Sequence, residues 1–175
     1  MTNTSSNILI KEKHPNGIMR LILNDCDNKN ALSENMLTSL VDAIKDISNQ
    51  QDIKVIIIAS TGNVFSSGHN LKEISSARDK NDNGEFYFIN LFNLCSSMMQ
   101  MMVNCPKPII AEINGIATAA GCQLVASCDL ALASSSSKFA TPGVNIGLFC
   151  STPMVALTRN AVSYTHLTLP TNDQV

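Results

Sequence analysis

Apolar and polar positions alternate between two rhythms along this chain. "NILIKEK" (residues 7–13) and "GIMRLILND" (17–25) are apolar-rich runs set apart by "HPNG". Proline presets one backbone angle for a turn and Asn-Gly accepts left-handed geometry, so the two runs are expected to pair as a β-hairpin. "SENMLTSLVDAIKDISNQ" changes period: Leu37, Leu40, Val41, Ile44 and Ile47 recur at helical spacing behind Ser33, a good helix cap. "IKVIIIAST" is a β-branched run of buried-strand type, and "PIIAEIN" repeats it after a helix expected over about Phe86 to Val103. The polar stretch "SSARDKNDNGE" between them reads as a mobile surface loop. Strand, helix, strand, helix, strand predicts an α/β fold with parallel pairing and right-handed crossovers.

Two stretches containing glycine each follow a buried strand and open a helix: "SSGHNLKEI" and "NGIATAAGCQL". Small residues there let a ligand approach the main chain, and the unpaired N–H groups of a helix start attract negative charge. Neither stretch has the spacing of a phosphate loop. Two readings stand on the residues alone: tight turns that need small residues, or two backbone donors converging on one oxyanion.

Composition narrows the choice. At 175 residues and 45% hydrophobic, the chain can bury one sizeable core and is most simply one domain. A formal charge of −2 leaves no basic stripe for a nucleic-acid backbone. The longest apolar runs are of core-strand length, which gives no membrane span. The six cysteines lack a C-x-x-C pair and the three histidines lack ligand spacing, so no metal is expected and the cysteines read as reduced, small apolar filler. The opening "MTNTSSNILIKEKHP" has neither a secretory apolar segment nor an Arg-rich presequence, from which a cytoplasmic location is expected.

"NVFSSGHNLKEI" resembles the F-S/C-A-G-A-D-L-K-E segment of the crotonase (enoyl-CoA hydratase/isomerase) superfamily. "NGIATAAGCQLVASCDLALASSSSKFATPGVNIGL" resembles its N-G-x-A-x-G-G-G-x-E…C-D…F-x-x-P-E-x-x-x-G block, and "NKNALSENML" its N-A-L segment. The resemblance runs from about residue 7 to residue 160. It implies a crotonase-like ββα spiral, incomplete at the C-terminus, and an acyl-CoA thioester as ligand. It also implies acyl-CoA metabolism, no cofactor beyond the coenzyme A of the substrate, and a homotrimer or hexamer for a full-length chain.

Site residues follow from the same resemblance. The backbone N–H groups of His69 and Ala120 would hold the thioester oxygen. Lys29, Ala31 and Leu32 fall where the family contacts the CoA nucleotide, and Ser67, Gly68, Asn70, Leu71, Lys72 and Gly121 complete the substrate-binding segments. Gln123 and Gly143 stand where family hydratases carry two glutamates, one to activate water and one to protonate the α-carbon. Glutamine can hydrogen-bond a water but cannot take its proton, and glycine supplies nothing. Gln123 is therefore either a satisfied polar residue on a helix face or a substrate contact. The activity expected is hydratase/isomerase-like with standard hydration in question; the alternative is a non-catalytic acyl-CoA-binding or regulatory subunit. Glu73, four residues after His69, could pair with it, and Glu112 stands out as a carboxylate in a strand expected to be buried. The core is expected over 1–160, with Leu148, Phe149 and Met154 open to solvent. Residues 161–175 resemble translated sequencing adapter and are expected to form a non-family tail, extended or disordered.

Overall fold

The computed structural model describes residues 7–160. The expectations for the leading residues 1–6 and for the tail at 161–175 lie outside the described residues.

The hairpin forms as its pattern predicts. β1 (Leu9–His14) pairs antiparallel with β2 (Ile18–Leu23), Leu9 opposite Leu23, through a turn in which Asn16 and Gly17 have φ of 68° and 81°. α1 (Glu34–Ser48) starts where Ser33 Oγ accepts the Met36 N–H at 3.1 Å, which satisfies one of the donors a helix start leaves free. One face of α1, from Met36 to Ile47, is buried. Each large apolar side chain fully removed from water there stabilises by roughly 1.5–3 kcal/mol.

β3 (Val55–Ser60), β5 (Ile109–Ile113) and β7 (Leu130–Ala133) extend the hairpin into one sheet of order β1-β2-β3-β5-β7, parallel from β2 onward. Its core, with Leu21, Leu23, Ile56, Ile58 and Ile109 out of solvent, packs against α1 and against α3 (Glu85–Val103). A second, smaller sheet was not foreseen. β4 (Val64–Ser66), β6 (Ile116–Thr118) and β8 (Lys138–Ala140) form a parallel three-stranded sheet in the order β4-β6-β8. Three residues are too few to show a period, so only tertiary pairing reveals these strands.

Three other expectations change. Ser75–Arg78 are not loop but the last turn of α2 (Leu71–Arg78), and the connection that follows is ordered by Asp82, whose carboxylate accepts the Gly84 and Phe86 N–H groups. Glu112 is not buried: its carboxylate takes Arg20 at 2.8 Å on the half-exposed face of the large sheet. Leu148 and Phe149 are open to solvent, but Met154, on α5 (Ser151–Asn160), is half-buried.

Candidate functional site

Three segments meet at one end of the two sheets. Residues 29–32 run beside residues 67–70: the Ser67 N–H donates to the Lys29 carbonyl (3.1 Å), and the Leu32 N–H donates to the Gly68 carbonyl (2.8 Å). Asn30 fixes this strap from inside. Its buried side chain donates to the Thr61 and Val64 carbonyls (2.9 and 2.7 Å) and accepts the Asp25 N–H (2.7 Å), while its backbone sits at φ 48°. Asn is among the few non-glycine residues that accept left-handed geometry readily. That tolerance, in "NKNAL", was the only sequence signal for its role.

The third segment is α4 (Ala120–Ala126), a short helix entered from β6. It lies directly on β4: a Cβ built on Gly121 would stand 2.3 Å from the Ser66 carbonyl oxygen, so only glycine permits this contact. Gly68, at φ +86°, occupies a matching position, where a Cβ would lie 3.0 Å from the Ala120 nitrogen. These two glycines bring the backbone at 68–69 and the backbone at 119–120 together.

Ala119 adjusts the direction of the second segment. It is held at φ 50°, ψ −122°, a conformation that costs a residue with a Cβ on the order of 1–3 kcal/mol. Bonds on both sides hold it there: its N–H donates to the Ala140 carbonyl (2.9 Å), and its carbonyl accepts the Cys122 and Gln123 N–H groups (3.0 and 3.2 Å). Cys122 adds to the clamp, its Sγ donating to the Ala117 and Ala140 carbonyls. Burial pushes this thiol up to about 11, so it stays protonated and structural. The backbone N–H groups of His69 and Ala120 donate to no protein acceptor among the described residues.

Beside them opens a cavity of about 670 Å³ between α3, α4 and α5, lined at one end by His69 and Gln123. The His69 ring stands edge-on to Phe92, with centroids 5.3 Å apart and planes at 87°. Burial holds the imidazole below its ordinary value, and the Leu32 carbonyl and the Glu73 carboxylate oppose that shift. Two buried polar atoms in this lining have no partner among the described residues: His69 Nδ1 and Gln123 Oε1. Gln123 is half-buried on α4, at the cavity end that His69 also lines.

The remaining sequence-derived residues fall into two groups. Ala31 and Leu32 are the buried residues of the strap itself, whereas Lys29, Leu71 and Lys72 turn their side chains to solvent and Asn70 caps α2 by accepting the Lys72 N–H (3.0 Å). Glu73 makes no hydrogen bond to His69; it accepts the Tyr87 hydroxyl (3.1 Å) and the Glu34 N–H (3.2 Å) instead. Gly143 lies outside the cavity lining, where a Cβ would meet Cys150 Sγ at 2.5 Å and the Leu148 carbonyl oxygen at 2.9 Å.

Comparison with known proteins identifies this arrangement. Residues 13–165 match the enoyl-CoA hydratase/isomerase family. The chain is 52% identical over 151 residues to enoyl-CoA hydratase domain-containing protein 3, mitochondrial, of Xenopus laevis, covering 86% of this chain and 49% of that protein. The Danio rerio protein of the same name is 50% identical over 159 residues, covering 91% of this chain and 53% of the relative. The chain therefore spans about half the length of the curated relatives it matches.

Among solved structures, human enoyl Coenzyme A hydratase domain-containing protein 3 superposes with a TM-score of 0.79 at 49% identity, over 87% of this chain and 58% of that one. An enoyl-CoA hydratase of Mycobacterium smegmatis gives 0.81 at 42% identity, over 89% and 58%. The mitochondrial names of the relatives overturn the cytoplasmic expectation, which rested only on the lack of a leader-like composition in the first residues. The matched span, the fold and the superpositions agree: the chain belongs to the enoyl-CoA hydratase/isomerase family, the crotonases.

Proposed function

We propose that the protein binds acyl-CoA thioesters, with the thioester oxygen accepted by the His69 and Ala120 N–H groups, and that it does not run the two-glutamate hydration. The observation that carries this reading is the pair of backbone N–H groups without protein acceptors, set beside a cavity of about 670 Å³ by the close packing at Gly68 and Gly121. Preorganised donors of this kind are worth on the order of 10²–10³ in rate each, and they depend only on main chain. A positioned acid or base is worth roughly 10²–10⁴. At the two positions where such groups would act, this chain has an amide and a glycine wedged against Cys150.

The same replacements favour a second reading, an acyl-CoA-binding or regulatory subunit without turnover. The exposed apolar residues Leu130, Leu132 and Phe139 support association of the full-length protein into a trimer or hexamer.

The test is calorimetry of the full-length protein with butyryl-CoA, alongside an Ala120→Pro variant. Proline removes the N–H but also strains Ala119 before it and crowds Gly68, so the expected loss of binding is read beside a thermal midpoint that shows the variant folded. Equal affinity of the two proteins would refute the donor assignment. Hydration of crotonyl-CoA by the parent at an ordinary enzymatic rate, of order 10 s⁻¹ or more, would refute the statement about hydration.

A further inference from the structure

We propose that the imidazole of His69 is the proton-accepting group of the thioester site, removing a proton from the acyl α-carbon while the backbone of the same residue holds the thioester oxygen. This rests on the acyl-CoA reading above and adds to it a side chain with a chemical task.

Three observations carry it. First, one residue supplies both groups, so the imidazole is tethered one side-chain length from the N–H that faces the thioester. Second, the ring is set edge-on to Phe92 in the cavity wall, and its Nδ1 and the Gln123 Oε1 of the same lining are both buried without partners among the described residues. A buried polar atom left unpaired is costly, and two in one cavity mark a place where a ligand or water completes the bonding. Third, among the described residues no other group in the wall is suited to take a proton near neutrality. The described lining holds no carboxylate, and the Cys95 thiol is pushed up to about 11 by burial. Glu73, on the neighbouring α2, is already occupied by the Tyr87 hydroxyl and the Glu34 N–H. Because burial lowers the basicity of His69, its imidazole is neutral at neutral pH and free to accept.

The step balances without a co-reactant. The Cα–H bond breaks and its proton passes to the imidazole. The C–H electron pair forms the π bond between Cα and the carbonyl carbon, and the carbonyl π pair moves onto the thioester oxygen between the two N–H groups. The imidazolium exchanges its proton with solvent and returns one to Cα.

The experiment is α-proton exchange of butyryl-CoA in D₂O, followed by NMR on the full-length protein, His69→Gln and His69→Ala, with binding measured in parallel. The expected result is exchange by the parent and a loss of roughly 10²–10⁴ in both variants, since glutamine and alanine cannot accept the proton. Affinity is measured for each variant and exchange is compared at saturating butyryl-CoA, which separates a lost base from weakened binding, and added imidazole should restore exchange in His69→Ala. Binding without exchange by the parent, or exchange that survives His69→Gln, would overturn the role of the imidazole and leave the binding reading intact. Absence of binding by a folded parent would overturn both.

Discussion

The segments at 29–32, 66–72 and 118–123 and the segment from Leu130 to Asn160 are built on opposite terms. In the first, the backbone interlocks: the strap is bonded to the loop beside it, Asn30 takes three partners, and α4 rests on β4 with no room for a methyl group. In the second, Leu130 and Leu132 on the edge strand are 62% and 67% exposed, and Phe139, Leu148 and Phe149 also face solvent. A site that works through main-chain donors needs positions fixed to fractions of an ångström, which interlocking backbone provides. An apolar surface left open carries no such constraint within this chain; it is a face to be covered.

Adding one methyl group to the interlocked region should break it. Gly121→Ala places a Cβ 2.3 Å from a carbonyl oxygen that belongs to β4 and cannot swing aside. We expect a loss of about 3 kcal/mol, read as a fall of roughly 6–12 °C in the thermal midpoint. A midpoint within a degree or two of the parent would mean that α4 is free to lift, and the contrast between the regions would collapse.

Acid should sharpen the same contrast. His69 is held below its ordinary value of 6.5 by burial, whereas in the unfolded chain it titrates normally. Between the folded and unfolded values the unfolded chain binds the extra proton, so stability is fully present above about 6.5 and declines as pH falls through that window. His69→Ala should flatten this part of the stability curve in denaturant titrations at a series of pH values. An unchanged slope would show that the ring is more open to water than its place in the cavity wall indicates.

The smallest effect is expected on the open face. Leu132→Ser should change unfolding free energy by no more than about 0.5 kcal/mol, yet it should reduce self-association at high protein concentration in sedimentation experiments. A large loss of stability would place Leu132 in a core that the described residues do not contain.

Much of this was legible in the residues. The hairpin announced itself through Pro15-Asn16-Gly17, α1 through its spacing and Ser33, and β3 and β5 through unbroken β-branched runs, because each signal is local and repeats over several residues. The second sheet was not legible, since its strands are three residues long and owe their existence to partners far along the chain. Glu112 was misplaced for a related reason. Its face depends on sheet register, which sets it within reach of Arg20 two strands away.

The site divides along the same line. The sequence determined which residue types are present: small residues at 119–121, an amide at 123, nothing at 143, an imidazole at 69. That was sufficient to read a family and to see that the usual carboxylates are missing. Only the tertiary structure decided what these residues meet. Gly68 and Gly121 matter because of the backbone atoms they approach, Ala119 because its strained turn directs the next N–H, and Gln123 and His69 because their unpaired atoms share one cavity. Chemical identity is carried by each residue alone, whereas close approach, burial and an unanswered hydrogen bond are relations between residues distant in the chain, and folding alone creates them.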